Sequence, residues 1–548
     1  MNVHLARPRR DGRAWGWALL GIALGLAAGA APLPLVLFGL GAAAFALLTL
    51  AEPALALVTM LAVAPLKTLI ATEAPLALPA DLGQWALAWA LGVWLLWRVS
   101  TDKRRPLPRT RIYAPLLLIM AGFAPSLFAA QDAGAWLAEM LKWAEMLLLV
   151  ALVVDLGRAR WQWIAFGAVL AGVLQAVLGL YEFYGGSGAP HLWIAGFQHF
   201  RAFGTFGQPN PFSAYMGLTL PLALGLAWGY AGRAYGGGAL PHTPRAFFGK
   251  KSAAKKHGIA ASAPTGDRHL PQTSVHSLHD SRHVPCRESG CRGASPLLGA
   301  RGQSPRIPAL LAAWYALSAL LLLGGLLASW GRGAWMGFAA AAAVMLAALP
   351  RRRALGLLSA AAAAALLLAL WSAGLLPAGL QARLQSALTD FTGFHDMRAA
   401  PVNDQNFAIV ERLAHWQAAL NMADAHPWLG VGLGNYAAAY PAYGLPSWPR
   451  ALGHAHNDYL NTLAETGLLG LSAYVLGWAL VFGWTLRALR VRDPLWRGLA
   501  LGLLGVWTHL AVHSLVDKLY VNNLFLHLGV ALGLLALALQ RMTTGENR

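Results

Sequence analysis

The sequence ALLAAWYALSALLLLGGLLASWGRGAWMGFAAAAAVMLAAL occupies residues 309–349. It contains two apolar blocks, 309–327 and 333–349, joined by a short turn whose one charged residue is Arg332. An α-helix needs roughly 20 apolar residues to cross the hydrocarbon core of a bilayer. The stretch therefore predicts two membrane-spanning helices that are connected by a tight turn at the membrane surface.

Comparable apolar blocks recur along the whole chain of 548 residues, which is 57% hydrophobic and only 12% charged. A soluble domain carries roughly twice that share of charged residues, so too little polar surface remains for a soluble protein of this size. We therefore predict an all-α polytopic membrane protein with roughly 12–14 transmembrane helices. The candidate spans lie at 15–31, 33–51, 54–71, 84–99, 113–129, 139–156, 162–182, 210–231, 309–327, 333–349, 354–373, 458–485, 498–516 and 521–540.

The excess of positive charge, +19 in all, is concentrated in alternate connections between the apolar blocks. Because cytoplasmic loops are enriched in Lys and Arg, we predict a multi-pass inner (plasma) membrane protein with both termini in the cytoplasm. Nucleic-acid binding is not expected, since no basic stripe lies on a soluble module. The predicted cytoplasmic loops contain Arg98 to Arg111, Arg158 with Arg160, 232–308, Arg351 to Arg353 and Arg487 to Arg497; the predicted outer loops, which are poor in basic residues, are 72–83, 130–138, 183–209, 328–332, 374–457 and 517–520.

These assignments divide the chain into five regions. Transmembrane helices are predicted at 1–231, 309–373 and 458–540. A basic cytoplasmic insertion occupies 232–308, and its many Gly, Pro, Ser and His residues without apolar periodicity are typical of disorder. A periplasmic loop occupies 374–457.

The insertion contains the two cysteines of the chain and, shortly before them, a cluster of three of its histidines, which leaves two interpretations open. Zinc ligands usually occur in closely spaced pairs within a structured turn, which this composition does not favour. We therefore prefer a solvated insertion to a metal site. With two cysteines there is no disulfide framework either. The residues are His276, His279, His283, Cys286 and Cys291.

The predicted periplasmic loop differs from the insertion because it is nearly neutral and contains a helical repeat. Its apolar residues recur at three- and four-residue spacing. A long structured loop among short connections is typical of a functional element. The repeat consists of Phe407, Val410, Leu413, Ala414, Trp416 and Leu420.

Two arginines lie on the predicted outer face, where basic residues are otherwise rare. Arg332 lies in the tight turn, and Arg201 precedes a run of Gly and Pro that includes Asn210. Each could extend towards lipid headgroups. Each could equally bind a phosphate group, because a guanidinium offers planar, bidentate donors.

The segment that enters the twelfth predicted span is also polar. Asn457, Asn461 and Glu465 are spaced by four, so they share one helix face. A carboxylate within a membrane helix needs a partner, and a structural interpretation is that Glu465 holds elements together through an Arg or a Trp N–H. Gly467 and Gly470 would allow close helix contact.

His456 lies at the mouth of this helix, close to solvent and to the long loop. A histidine exchanges a proton near neutral pH and is suited to general base catalysis, although a lone histidine is more often structural. His454 and Asp458 are spaced by four. They are either a pair that orients the neighbouring groups or part of a helix N-cap.

Together these residues resemble the O-antigen ligase superfamily. His456-Asn457, nine further residues and then Gly467-x-x-Gly470 match a signature of that family. The stretches GTFGQPN at 204–210, SWGRGAW at 329–335 and HPWLGVGLGNY at 426–436 resemble three more of its motifs, in the same order. The insertion 232–308 departs from the family pattern.

The resemblance implies a membrane glycosyltransferase of the GT-C type that uses an undecaprenyl-pyrophosphate-linked glycan as donor, without metal or cofactor. The acceptor is a lipid, a glycan or a protein, and the reaction takes place at the non-cytoplasmic face of the bilayer with inversion. By motif, His456 is the implied base, and Arg201 and Arg332 are implied to hold the donor pyrophosphate. The implied supporting residues are Asn457, His454, Asp458, Asn461, Glu465 and Asn210.

Several activities remain open at this point. Within the family, the chain could be a ligase, a polysaccharide polymerase or a protein O-oligosaccharyltransferase. A polytopic transporter of the bicarbonate-transport type and an envelope scaffold are alternatives from other classes. Transporters often contain internal repeats with interrupted helices at the midplane, whereas here the polar residues gather at one face, which favours a transferase.

Overall fold

The computed structural model describes residues 32–73, 81–101, 106–186, 192–194, 198–235, 306–375, 381, 385 and 407–543. The first predicted span, nearly all of the insertion with its histidines and cysteines, and most of 374–406 lie outside the described residues. The helices are α1 (Leu33–Ala51), α2 (Pro53–Val63), α3 (Lys67–Glu73), α4 (Leu82–Thr101), α5 (Tyr113–Phe123), α6 (Ala133–Gly185), α7 (Pro209–Tyr235), α8 (Arg306–Ala328), α9 (Arg332–Ala348), α10 (Arg353–Ser372), α11 (Phe407–Ala425), α12 (Tyr436–Tyr443), α13 (Asp458–Ala488), α14 (Pro494–His513) and α15 (Leu524–Thr543).

Nine helical segments in the described part of the chain are long and apolar enough to cross a membrane. Two shorter apolar helices, Tyr113–Ala129 and Arg332–Ala348, accompany them. Strand structure in the described part is confined to β1 (Trp193–Ile194) and β2 (His199–Phe200), which pair antiparallel with Trp193 opposite Phe200. The predicted all-α polytopic membrane fold is therefore confirmed, while the total of 12–14 spans stays a prediction.

The centre of the bundle is formed by α7 and α14. Within their spans, 83% and 89% of the residues are buried, against 6% for α1 at the periphery. Small residues permit the central contact: a Cβ added to Gly225 would lie 2.3 Å from the carbonyl oxygen of Gly498. Helix association in lipid depends on such close packing, so these glycines determine how the site-bearing helices meet.

Helix α6 corrects one prediction. Two spans, 139–156 and 162–182, were expected with a loop at Arg158 and Arg160, but helical hydrogen bonding continues from Ala133 to Gly185. A straight helix of this length would extend about 80 Å. Both of its ends nevertheless lie beside the segments that carry the candidate site: Asp132 N donates to Asn435 Oδ1 (2.6 Å), and Phe203 N donates to Glu182 Oε2 (2.9 Å).

The middle of α6 lies at the opposite end of the bundle, where Asp155 pairs with Arg98 at 2.5 Å. The chain therefore crosses twice and reverses close to Ala159, where the second candidate span begins. The reversal is helical, which hydrophobic periodicity does not reveal.

The two ends of the bundle differ in chemistry. At one end, here called the site end, are the loop between α8 and α9, helices α11 and α12, and the start of α13. At the other, here called the basic end, the α9–α10 and α13–α14 connections meet, since Arg497 Nη2 donates to the carbonyl oxygens of Ala348 and Leu349.

Candidate functional site

The segment with Arg201 and the α8–α9 turn with Arg332 are joined directly. Arg201 Nε donates to the carbonyl oxygen of Ser329 (3.1 Å), and Ala202 N donates to that of Ala328 (3.0 Å). Two motifs that lie more than 100 residues apart in sequence thus form one surface at the site end.

The α8–α9 turn is shaped by its own side chains. Trp330 adopts a left-handed φ of 57°, Gly331 N donates to Ser329 Oγ (3.2 Å), and Trp335 Nε1 donates to the carbonyl oxygen of Leu326 (3.0 Å). Arg332 is the first residue of α9. The free N–H groups and the dipole of a helix N-terminus favour anions, so the guanidinium lies where an anion is also stabilised by the backbone.

Asn210 lies half-buried in the first turn of α7. Its carbonyl oxygen accepts from Ser213 Oγ (2.8 Å), and the same hydroxyl would lie 2.8 Å from a Cβ added to Gly331. Asn210 is therefore adjacent to the arginine-bearing turn. Its amide group forms no hydrogen bond with the described residues.

The backbone around His456 is held in an unusual conformation. His456 has a φ of 51°, a left-handed value that costs a non-glycine residue free energy. On one side, Asn457 caps α13 by accepting from Tyr459 N and Leu460 N. On the other, Ala455 N donates to Asn461 Oδ1 (3.1 Å). Asn457 and Asn461 thus hold the backbone on both sides of His456, while their supporting roles in a reaction stay a prediction.

The carboxylate that faces His456 is Asp517, from the connection between α14 and α15. Its Oδ1 lies 3.5 Å from His456 Nδ1 and accepts from Lys518 N at 2.9 Å. Burial would raise the pKa of Asp517, but His456 and the positive charge of Arg412 hold that pKa well below its usual range. An ionised aspartate beside Nδ1 favours the tautomer in which Nδ1 carries the proton and Nε2 is free to accept one.

The predicted orienting pair of His454 and Asp458 is replaced by other contacts. His454 Nδ1 accepts from His456 N (3.1 Å), and burial lowers the pKa of His454 to about 3, so this imidazole is neutral at pH 7. Asp458 faces Ser514, whose carbonyl oxygen accepts from Asp458 N at 2.8 Å. The N-cap of α13 is Asn457, and Asp458 is the first residue of the helix.

Glu465 holds the 431–436 segment against α13. Its Oε1 accepts from Tyr436 N (3.2 Å), and its carbonyl oxygen accepts from Gly432 N (2.9 Å). The carboxylate is almost fully buried, at 2% exposure. The sequence predicted an Arg or a Trp N–H as the partner of this carboxylate. In the structure the carboxylate accepts from the backbone instead.

The spacing of Gly467 and Gly470 after His456 has a structural explanation. Gly467 interrupts α13 with a φ of 63°, and Leu468 N donates to the carbonyl oxygen of Pro427 (2.8 Å). The sequence predicted a close helix contact at Gly467, but the close contact there is with the backbone of residues 427–429. At Gly470 an added Cβ would lie 3.2 Å from the ring of Phe123 on α5, as predicted for helix packing.

We expect Gly467→Ala to destabilise the protein by about 2 kcal/mol or more. An added Cβ would lie 2.3 Å from the backbone carbon of Trp428, at a φ that favours glycine. Thermal unfolding in detergent would measure the loss. The matched control is Gly483→Ala on the same helix, where an added Cβ meets nothing within 4 Å. Equal unfolding temperatures for the two variants would contradict this account.

Arg412 is a candidate site residue that no sequence motif predicted. It lies on α11, within the helical repeat of the outer loop. Burial, together with the positive charges of Arg412 and Arg332, lowers the pKa of Arg201 to about 10. Arg332 and Arg412 are thus both close enough to Arg201 to repel its guanidinium group. The position of Arg412 within the helical repeat is the sequence feature that could have revealed it, because a lone Arg in an amphipathic helix lies on the polar face of that helix.

Three side chains near Arg412 contain atoms of the kinds that ligate metal ions. His454, His456 and Asp517 offer ligand atoms within 4.8 Å of one another. Two imidazoles and a carboxylate suit zinc. The surrounding positive charge disfavours a metal cation. Arg412 lies close enough to lower the pKa of Asp517, and it also acts on Arg201, which is positively charged too. The set of residues fits an anionic ligand better than a cation.

The same segments are recognised in a known family. Residues 317–475 match the family model described as O-Antigen ligase. This match supports the resemblance of the chain to the O-antigen ligase superfamily. The matched O-antigen ligase domain runs from α8 to the middle of α13, and so contains Arg332, Arg412, His456 and Gly467. No curated protein matches the chain. The matched domain supports the class of O-antigen ligase-type membrane glycosyltransferases.

Proposed function

We propose that this protein transfers a glycan from undecaprenyl pyrophosphate to an acceptor hydroxyl at the outer face of the inner membrane, with inversion and without a metal. The observation that carries the proposal is the placement of the arginine-bearing turn beside the histidine–aspartate pair of His456 and Asp517: a Cβ added to Gly333 would lie 2.5 Å from Val516. The positive charge of Arg412 acts on both Arg201 and Asp517. The site contains the groups that such a transfer needs, namely a proton acceptor and a cluster of cations for an anionic leaving group.

The arginines would act on the donor. The positive charges of Arg332 and Arg412 repel that of Arg201, so a pyrophosphate that binds beside them relieves this repulsion and gains charge-assisted hydrogen bonds. During transfer, negative charge develops on the leaving pyrophosphate oxygen. Preorganised cations stabilise that charge more strongly than they stabilise the ground state.

His456 would act on the acceptor. As the acceptor oxygen bonds to the anomeric carbon, its proton passes to Nε2 of His456 and the bond to pyrophosphate breaks. Asp517 keeps Nδ1 protonated and balances the charge of the imidazolium. Attack opposite to the leaving group inverts the anomeric configuration. Undecaprenyl pyrophosphate leaves with the electron pair of the broken bond.

The orientation is proposed from the charge pattern. The basic end contains Arg351 to Arg353 and Arg487 to Arg497, and such loops face the cytoplasm in most membrane proteins. The site end, with the described part of the outer loop from residue 407 onwards, would then face the periplasm. A lipid, glycan or protein acceptor is compatible with this arrangement.

The proposal is tested by reconstituting the full chain in liposomes with a polyprenyl-pyrophosphate glycan and candidate acceptors. We expect release of polyprenyl pyrophosphate that depends on the acceptor and continues at an undiminished rate in excess EDTA. Loss of release in EDTA, with recovery on addition of Zn²⁺, would overturn the metal-independent part. Acceptor-independent uptake of a solute without any release would instead identify a transporter.

A further inference from the structure

A large cavity lies at the basic end, away from the site described above. It has a volume of about 790 Å³ and lies between α9 and α13, both of which pack against α14. Its apolar wall includes Val344, Leu486 and Leu504. Five arginines share the remainder of the lining: Arg351, Arg353, Arg487, Arg490 and Arg497.

Arg497 makes this cavity a built site. The residue is only 7% exposed, and its Nη2 donates to the carbonyl oxygens of Ala348 and Leu349 at 3.1 and 2.7 Å. Its Cζ lies 5.1 Å from the ring of Trp228. Nε and Nη1 form no hydrogen bond with the described residues. A buried guanidinium with unused donors on a cavity wall needs an anion to balance its charge.

Protein carboxylates do not supply that anion within the described part of the chain. None of the five arginines forms an ion pair with an Asp or a Glu there. The α13–α14 connection does contain Asp493, but its carboxylate pairs with Arg233 at 2.6 Å. The positive charge of the cavity is therefore not balanced by the protein itself.

The apolar wall indicates what kind of anion fits. Leu486 is 53% exposed, and next to it Gly483 leaves open space, since an added Cβ would meet nothing within 4 Å. A free phosphate would use the arginines and leave this wall in contact with water. A phosphodiester with acyl chains would use both, and basic pockets between transmembrane helices do bind anionic lipid headgroups.

We propose that this cavity binds the phosphodiester headgroup of an acidic phospholipid, with an acyl chain along the Gly483–Leu486 wall. The positive-inside pattern accounts for basic loops, but it does not require a buried arginine within α14. The bound lipid would connect α9 and α13. At their other ends, α9 begins with Arg332 and α13 begins two residues after His456.

The test uses full-length protein in neutral detergent and native mass spectrometry. Phosphatidylglycerol and phosphatidylcholine with identical acyl chains are the lipid probes, and glycerol phosphate is the soluble probe. The variant is Arg351→Gln with Arg490→Gln, both exposed side chains. The matched control is Arg109→Gln with Arg352→Gln, which removes the same charge from exposed positions that do not line the cavity.

We expect wild type and the control to retain phosphatidylglycerol, and the cavity variant to bind it about tenfold more weakly or worse. Phosphatidylcholine should bind more weakly than phosphatidylglycerol to wild type. Equal weakening in the control would show that attraction is spread over the surface, and would overturn the proposal. Glycerol phosphate that binds as tightly as the lipid would assign the cavity to soluble phosphates and overturn it as well. An unchanged unfolding temperature of the variant without lipid excludes misfolding as the cause of weaker binding.

Discussion

Replacing His456 with alanine is expected to lower the rate of glycan transfer by about 10²–10⁴-fold, the usual contribution of a general base. The imidazole faces Asp517 through Nδ1 at 3.5 Å, which leaves Nε2 to accept the proton of the acceptor. Alanine removes this acceptor but leaves the three arginines in place. Donor binding should therefore persist while turnover fails, which is measured as a loss of kcat with little change in donor KM.

Two variants control this experiment. His426→Ala removes an exposed histidine of the same outer region, whose Nε2 contacts the Tyr443 hydroxyl at 2.8 Å, and it should transfer glycan at nearly the wild-type rate. Asp517→Asn keeps the shape of the side chain but removes its charge, so it should lower kcat and leave donor binding intact. A folded His456→Ala protein with wild-type kcat would mean that the base lies elsewhere.

The second large effect is expected from the arginines. The double variant Arg201→Gln with Arg332→Gln should lower kcat/KM by about 10³-fold or more, since removal of one group that stabilises transition-state charge costs about 10²–10³-fold. The effect should appear in donor KM as well as in kcat, because the pyrophosphate is charged in the ground state too. Binding of the donor, measured without acceptor, should weaken in parallel.

Arg450→Gln is the control, because Arg450 is an exposed arginine of the same outer loop. Arg332→Lys retains the charge but loses the planar pair of donors, so its activity should fall between those of wild type and Arg332→Gln. Arg412→Gln tests the residue that only the structure revealed, and it should weaken donor binding. Wild-type donor affinity in the double variant, in Arg332→Gln and in Arg412→Gln would contradict pyrophosphate binding at this cluster.

Local sequence patterns predicted much of this protein. The fold class follows from the length of the apolar blocks, because a helix must satisfy its own backbone hydrogen bonds in lipid. The residues Arg201, Arg332 and His456 stood out because polar groups are costly at a membrane boundary and are therefore few. The α11 helix follows from a repeat at helical spacing that begins at Phe407.

Contacts between distant segments could not be predicted in the same way. Asp517 faces His456 from 61 positions further along the chain, and Arg412 approaches from an outer helix. Neither residue belongs to a motif, and periodicity reports which face of a helix is polar but not which neighbour that face meets. For the same reason, the sequence did not predict the contact of Asp458 with Ser514 or that of Glu465 with the Tyr436 backbone.

By itself, the sequence determined a polytopic helical bundle with basic residues in alternate loops, and it predicted a histidine–arginine site on the other face. The length of an apolar block and the charge of a loop are local properties, because each is set by the residues of that segment alone. Only the tertiary structure decided that α6 reverses within continuous helix, that Asp517 and Arg412 complete the site, and that five arginines line one cavity. Each of these depends on contacts between segments that are far apart in the chain, because the approach of two helices is a property of both surfaces together.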